Sequence, residues 1–344
     1  MRIVVTGGSG NVGTALLRCL AESGRHHLVG VSRRRPPDVA PYDAAEWVCV
    51  DVGARDAMPA LRDAFAGADA VVHLAWAISP SHDRDRRRRT NQNGTAAVVA
   101  AVREAGVGHL VHQSSVGTYA PGSGRTVDES WPATGIETSS YSVDKAAAEV
   151  IVARAEDEVT VARVRPALIF QDAAASEVAR YFAGPLVPRV LIRRGVLRFA
   201  PLPAALAFQV VHADDVARAL ELILTQRAGG PFNVAAQPII DRDAWSEVFG
   251  GVGPPVPPWA LRAAAAATWR ARLQPTEPGW LDMAVHAPFL DTGRIEAIGW
   301  TPRHDAREVL GEFIDAMGRH DSHPGPLLHG RRIGLPARLH RRRR

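Results

Sequence analysis

Residues 2–13 read Arg2-Ile3-Val4-Val5-Thr6-Gly7-Gly8-Ser9-Gly10-Asn11-Val12-Gly13. A short apolar run leads straight into a glycine turn. An amphipathic segment, Thr14 to Ser23, follows and stops at Gly24. The order is strand, turn, helix. Gly8, Gly10 and Gly13 satisfy a G-x-G-x-x-G spacing, and Gly7, Gly10 and Gly13 a G-x-x-G-x-x-G spacing. Either one allows a tight turn and lets the backbone approach a pyrophosphate at a helix N-terminus. A glycine-rich turn alone carries little information. Its place between the first strand and the first helix is the context a dinucleotide site requires.

Working outward, His27 to Val31 reads as a second strand, ending in Ser32-Arg33-Arg34-Arg35. Trp47 to Val50 is a third strand, followed by Asp51, and Ala57 to Ala66 a helix. Ala70 to Leu74 and His109 to Gln113 are further strands, separated by a long helix, Thr90 to Ala105. Ser139 to Ala155 is a helix and Thr160 to Val164 a sixth strand. Such alternation predicts an α/β fold: a doubly wound parallel (Rossmann) sheet, with a smaller C-terminal substrate lobe. After Arg165-Pro166 the regularity weakens. Phe208 to His212 and Ala213 to Thr225 read as a strand and helix returning to the sheet, and Ala306 to Met317 as the terminal helix. The expected division is a cofactor domain over 1–166 and 207–229, a substrate lobe over 167–206 and 230–320, and a basic, disordered tail over 321–344.

With 344 residues, 46% hydrophobic and 22% charged, the chain has the composition of a soluble globular protein. Residues 331–344 hold seven arginines and no acid, and without those seven the formal charge of +5 becomes −2. A basic tail can touch nucleic acid or acidic lipid. A short block of this kind reads first as a solvated end, so no nucleic-acid partner is expected. No apolar run reaches membrane length, and Met1 leads directly into a strand, so the expectation is a cytoplasmic protein without membrane insertion. Cys19 and Cys49 fall in apolar segments and are expected as buried free thiols. No Cys/His cluster has metal-ligand spacing, and no metal is expected.

The end of the second strand bears on the cofactor. An acid there would bind the ribose 2′-OH of NAD. Arg33 and Arg34 instead suit a 2′-phosphate by charge and by paired hydrogen bonds, so NADP is expected, with NAD as the alternative. A solvated basic turn before Pro36 is the plainer reading. Asp51 is placed to accept from the adenine amino group or to cap a helix.

Tyr141-Ser142-Val143-Asp144-Lys145 sets a tyrosine and a lysine four apart, on one helix face. A free phenol titrates near pH 10, too high for efficient proton transfer at neutrality, and a nearby ammonium would favour the phenolate. Of the 41 Lys and Arg residues, Lys145 is the single lysine. A chain that uses arginine everywhere else keeps here the compact point charge on a flexible stem.

The ordered set of motifs resembles the extended short-chain dehydrogenase/reductases, which include the NAD-dependent epimerase/dehydratase family, over roughly residues 1–318. Thr6 to Gly13 matches the T-G-x-x-G-x-x-G of that group, His73-Leu74-Ala75-Trp76 its H-L-A-A, and Asn91-Gln92-Asn93-Gly94-Thr95 its N-x-x-G-T. Ser114 to Ala120 matches S-S-x-x-x-Y-G, Tyr141 to Lys145 the Y-x-x-x-K, Arg165-Pro166 the R-P, and Val211 to Ala217 the V-H-x-x-D-x-A. The resemblance implies that Ser115 holds a substrate oxygen beside Tyr141, that Tyr141 gives or takes the proton, and that Lys145 binds ribose and tunes Tyr141. It places the cofactor against Gly7, Gly10, Asn11, Val12, Gly13, Arg33, Arg34, Asp51, Val52, Leu74, Ala75, Trp76, Asn91, Tyr141, Lys145 and Pro166. Ser115, Tyr119 and Phe208 are expected to line the substrate pocket. Ser114 is expected to be structural and Asn91 positional, and the resemblance implies a homodimer.

Three departures shape the functional expectation. Dehydratases of the family carry Asp-Glu directly after the catalytic hydroxyl, where this chain has Val116-Gly117. An arginine that grips diphosphate in sugar-nucleotide members is replaced by Phe208, and R-P-x-x-x-Y-G is altered to end in Phe170-Gln171. Arg180, Arg193, Arg194 or Arg198 could supply a phosphate grip instead. The basic run Arg84 to Arg89 reads as a solvated helix start, or as a contact for an anionic substrate. His212 beside Asp214 and Asp215 resembles a catalytic pair but falls where the family has a helix cap. Trp245, Trp259, Trp269 and Trp280 read equally as pocket or core. The leading expectation is hydride transfer between NADP(H) and a carbonyl or alcohol of a small, rather apolar substrate. An NAD(P)-dependent epimerase acting on a sugar or sugar nucleotide is the alternative, and a non-catalytic NADP-binding sensor a further one.

Overall fold

The structure is a computed structural model, and it describes residues 1–78, 83–179, 192 and 194–318. Arg180, Arg193 and the basic tail lie outside the described residues. Seven strands form one parallel sheet in the spatial order Gly230–Val234, Thr160–Pro166, His109–Gln113, Ala70–His73, Arg2–Thr6, His27–Ser32, Ala45–Cys49. Ile3, Val4, Val5, Val71, Val72, Leu110 and Val111 have no exposed surface. Strands buried on both faces read as unbroken apolar runs for this reason.

One face is covered by the helices Asn11–Glu22 and Ala213–Gln226, where Leu16, Leu17 and Leu20 share a core with Val216, Leu220, Ile223 and Leu224. The helices Ala57–Phe65 and Gly94–Glu104 cover the other, through Leu61, Phe65, Val98 and Val102. The strand order reverses between Arg2–Thr6 and Ala70–His73. In a doubly wound sheet that is where a crevice opens at the carboxyl ends of the strands. Gly10, Leu74 and Ser115 follow those ends.

The returning segment differs from its expectation. Val210–His212 pairs with Leu168–Phe170 in a separate two-stranded sheet, and Gly230–Val234 is the strand that joins the main sheet. The main sheet therefore takes in residues past 229. Gly230, Pro231 and Asn233 give that strand the composition of a loop, and pairing along Thr160–Pro166 overrides it. The predicted Thr90 to Ala105 helix is interrupted by a π-helical turn, Arg89–Asn93, between Arg84–Arg88 and Gly94–Glu104. The lobe has its own core, in which Phe170 stacks on Phe313 of the terminal helix Ala306–Gly318 at 4.2 Å. Cys49 is exposed rather than buried, because the edge strand Ala45–Cys49 has only one neighbour. Among the described residues no helix is long and apolar enough to cross a membrane.

Candidate active site

The glycine turn is fixed by close approaches. Gly7 has a φ of 73°, and a Cβ on it would stand 2.7 Å from the Ala75 backbone nitrogen; one on Gly13 would stand 2.4 Å from the Gly7 carbonyl oxygen. Only glycine fits either place. Gly10 precedes the helix Asn11–Glu22 and offers no capping side chain. The first backbone N–H groups, at Asn11, Val12 and Gly13, therefore have no partner within the helix. The side chain of Asn11 reaches the carbonyl of Ile169, and Gln171 donates to Asn11 Oδ1 at 2.5 Å, so the turn is tied to the segment after Pro166. Arg33 and Arg34 are exposed at the end of their strand. Asp51 is exposed and accepts from the Gly53 N–H, while Val52 is buried beneath it.

Asn91 is 2% exposed and forms a two-way clasp with Ala77, accepting from its N–H at 2.8 Å and donating to its carbonyl at 3.3 Å. This fixes the Leu74–Ala77 segment against the long helix. Thr6, His73 and Thr95 are hydrogen-bonded in series, at 2.7 and 3.0 Å, and burial pushes His73 down to about 3, so the ring is neutral. Pro166 is buried at the end of its strand.

Ser115 follows the strand His109–Gln113 and caps a 3-10 turn, its Oγ accepting from the Gly117 N–H at 3.0 Å. Its hydroxyl proton is left for another acceptor. Tyr141 and Lys145 sit one turn apart on the helix Ser140–Ala153, capped by Ser139. Burial pushes the Tyr141 phenol up to about 12, and a hydrogen bond with Ser115 opposes that rise. The expected lowering by Lys145 does not appear in this arrangement. The ammonium instead donates to the Gln113 carbonyl at 2.8 Å and lies 3.7 Å from the centre of the Trp76 ring. Burial lowers Lys145 to about 7.

Ser142 and Met283, which sequence reading passed over, help to hold this arrangement. Ser142 has no exposed surface; its hydroxyl donates to the Gly117 carbonyl and accepts from the Ile136 N–H at 2.7 Å, tying the Ser115 turn to the catalytic helix. Trp280 lies on the Tyr141 ring at 4.7 Å, and Trp76 meets Tyr141 edge-on at 6.2 Å. A Cβ on Gly117 would stand 2.8 Å from Met283 Sδ and 3.1 Å from Tyr141 Cε1. Met283 and Tyr141 thus fill the space that a side chain at position 117 would need.

Other expected positions fall elsewhere. Tyr119 is a correction: it has no exposed surface, and its hydroxyl donates to Asn233 Oδ1 at 2.6 Å and accepts from Arg165 at 3.0 Å. Its ring belongs to the core and not to the mouth of the site. Phe208 is half-buried against the lobe core and its backbone pairs with Ile240. Arg194 is paired with Asp315 at 2.8 Å, and Arg198 lies over Phe199. Arg87 is 6% exposed, so the basic run is not wholly solvated. His212 caps the helix Ala213–Gln226 by accepting from the Asp214 N–H at 3.2 Å. Of the four tryptophans left between pocket and core, Trp280 borders Tyr141, Trp245 packs on Phe249 at 4.3 Å, and Trp259 is 73% exposed. A cleft of about 600 Å³ is lined by Pro121, residues 134–138, Arg262, Asp282 and His286, and by none of Ser115, Tyr141 and Lys145; Arg262 and Asp282 are paired there at 2.8 Å.

The sequence profile described as the NAD dependent epimerase/dehydratase family matches residues 3–235. The chain belongs to this family. The 2′-dehydrokanamycin reductase of Streptomyces kanamyceticus is 29% identical over 279 residues, which are 78% of this chain and 71% of that one. A protein of Mycobacterium tuberculosis is 30% identical over 320 residues, and there the match spans 92% of this chain but only 30% of the relative's length. The fold is shared with UDP-glucose 4-epimerase of Thermus thermophilus, solved with NAD, at 21% identity and a TM-score of 0.66, over 92% of this chain and 99% of that one. MoeE5, solved with UDP-glucuronic acid and NAD, gives 22% and 0.65, over 92% and 98%.

The residues present fit a nicotinamide dinucleotide of this family. The uncapped N–H groups at Asn11 to Gly13 and the bare Gly10 suit its pyrophosphate. Arg33 and Arg34 stand at the strand end where a ribose phosphate would lie.

Proposed function

We propose that the protein is an NADP-dependent oxidoreductase that transfers hydride to or from a carbonyl or alcohol of a small, rather apolar substrate. The observation that carries this reading is the convergence of Ser115 Oγ, the Tyr141 ring and Met283 around Gly117, with Trp280 on the Tyr141 ring. The Ser115 hydroxyl, already accepting from Gly117, would hold the reacting oxygen of the substrate. Tyr141 would deliver a proton to that oxygen in reduction, or remove one in oxidation. Lys145 would bind the nicotinamide ribose and bring its charge toward the phenol. A bound nicotinamide would supply or accept the hydride at the substrate carbon.

Arg33 and Arg34 support NADP over NAD. Val116 and Gly117 support a redox step without elimination, since neither residue that follows Ser115 is a carboxylate. Trp280, Met283 and Trp76 support an apolar substrate, because the groups around Tyr141 are aromatic or thioether. The reductase activity in the name of the Streptomyces relative is in keeping with this direction. The reading also keeps the expectation of a cytoplasmic homodimer.

Native mass spectrometry of the purified protein, followed by NADPH oxidation with a panel of aromatic and aliphatic ketones, tests the proposal. Exchangeable NADP(H) and net NADPH consumption are expected. A dinucleotide that stays bound and shows no net redox change would instead favour an epimerase.

A further inference from the structure

Lys145 is the residue expected to meet the nicotinamide ribose, yet it is only 3% exposed. Its ammonium has three N–H donors. One is used on the Gln113 carbonyl at 2.8 Å. The Trp76 ring lies across another side, its centre 3.7 Å from Nζ. A ribose diol presents two oxygens, each needing a place about 2.9 Å from a donor nitrogen. A ring centred at 3.7 Å fills that place, so indole and diol exclude one another on this side of Lys145.

Trp76 is loosely held there. It is half-buried, meets Tyr141 only edge-on, and its Nε1 is buried with no hydrogen-bond partner among the described residues. A buried donor left unmade is a cost that a change of position can relieve. The H-L-A-A motif that residues 73–76 resemble ends in alanine, where this chain has Trp76.

We propose that Trp76 is a positioning residue of the nicotinamide-ribose site: its ring, packed on Lys145, has to turn away for the ribose of the dinucleotide to reach that ammonium. This rests on the dinucleotide reading above. Binding then has to displace a cation–π contact, and the affinity for cofactor is lower than that of the uncovered site.

The test is a titration with NADP⁺ of protein carrying 5-fluorotryptophan at its eight tryptophans, followed by ¹⁹F NMR. The resonance missing in Trp76→Phe assigns Trp76. That resonance is expected to move at saturating NADP⁺, and to move in Lys145→Met without any nucleotide. Calorimetry is expected to show NADP⁺ binding about three- to thirty-fold tighter in Trp76→Ala, the range of a desolvated cation–π contact. Trp76→Phe, which keeps a ring, should fall between. A Trp76 resonance unmoved by saturating NADP⁺, or binding to Trp76→Ala no tighter than to the native protein, would overturn the proposal and leave the dinucleotide reading intact. Failure of the native protein to bind either NADP⁺ or NAD⁺ would overturn both.

Discussion

Arg165 forks onto the carboxylate of Glu149, Nε to Oε1 at 2.8 Å and Nη2 to Oε2 at 2.6 Å, with both side chains 4% exposed. The pair joins the strand Thr160–Pro166 to the catalytic helix one turn beyond Lys145. Removing Glu149 leaves the Arg165 charge buried without its carboxylate, with only the Tyr119 hydroxyl and the Glu129 carbonyl to accept from it. Glu149→Ala is therefore expected to lose about 3–5 kcal/mol in denaturant unfolding, and Glu149→Leu with Arg165→Met much less. Equal losses in the two variants would show that the pair is not the source of the effect.

Gly117 sets the clearance around Tyr141. Gly117→Ala puts a methyl group against Met283 Sδ and Tyr141 Cε1. The expected result is a fall in kcat of about 10- to 100-fold with unchanged NADP(H) affinity, since small displacements of reacting groups are costly. Adding Met283→Ala opens the space and should restore part of the rate. Cofactor affinity is measured alongside, to separate the catalytic centre from the dinucleotide site.

On the proposed reading, Arg33 and Arg34 carry a preference for NADP. The double variant Arg33→Ala, Arg34→Ala is expected to bind NADP⁺ about 10- to 100-fold more weakly, the value of charge-assisted hydrogen bonds to a phosphate, with NAD⁺ binding little changed. Equal losses for both dinucleotides would remove the argument for a 2′-phosphate.

Burial lowers Lys145 from 10.5 to about 7. Between those values the unfolded chain binds more protons than the folded one, so this residue makes stability rise with pH across that window. Below pH about 7 both states are protonated, and the folded protein bears the full cost of the buried charge. Lys145→Met should therefore raise Tm relative to the native protein more at about pH 6 than at about pH 10. A pH-independent difference in Tm would show that Lys145 titrates normally in the folded chain.

Much of this was legible in the order of residues, and the failures have physical causes. Five of the first six strands of the main sheet announce themselves because they are buried and bounded by glycine or polar turns, while the edge strand Ala45–Cys49 is only partly buried. Gly230–Val234 does not, since its place in the sheet comes from the neighbour it pairs with. Ser115, Tyr141 and Lys145 could be located by spacing along a strand end and one helix face. Spacing could not show that Lys145 points to the Gln113 carbonyl and Trp76, a tertiary matter. Tyr119 was misplaced for a related reason: a motif marks its position along the chain, while its hydroxyl is drawn inward by Asn233 and Arg165. Ser142 lay inside the Tyr-Lys motif and gave no signal of its own, because its partners, Gly117 and Ile136, are on another loop.

The central claim is that Tyr141 moves the proton. The most direct test compares Tyr141→Phe with the native protein in single-turnover reduction by NADPH, using the ketone the native protein reduces fastest. The expected result is a rate lower by about 10²- to 10⁴-fold, the usual contribution of a general acid, with NADP(H) affinity within about two-fold of the native value. A Tyr141→Phe enzyme that turns over at the native rate would contradict the account.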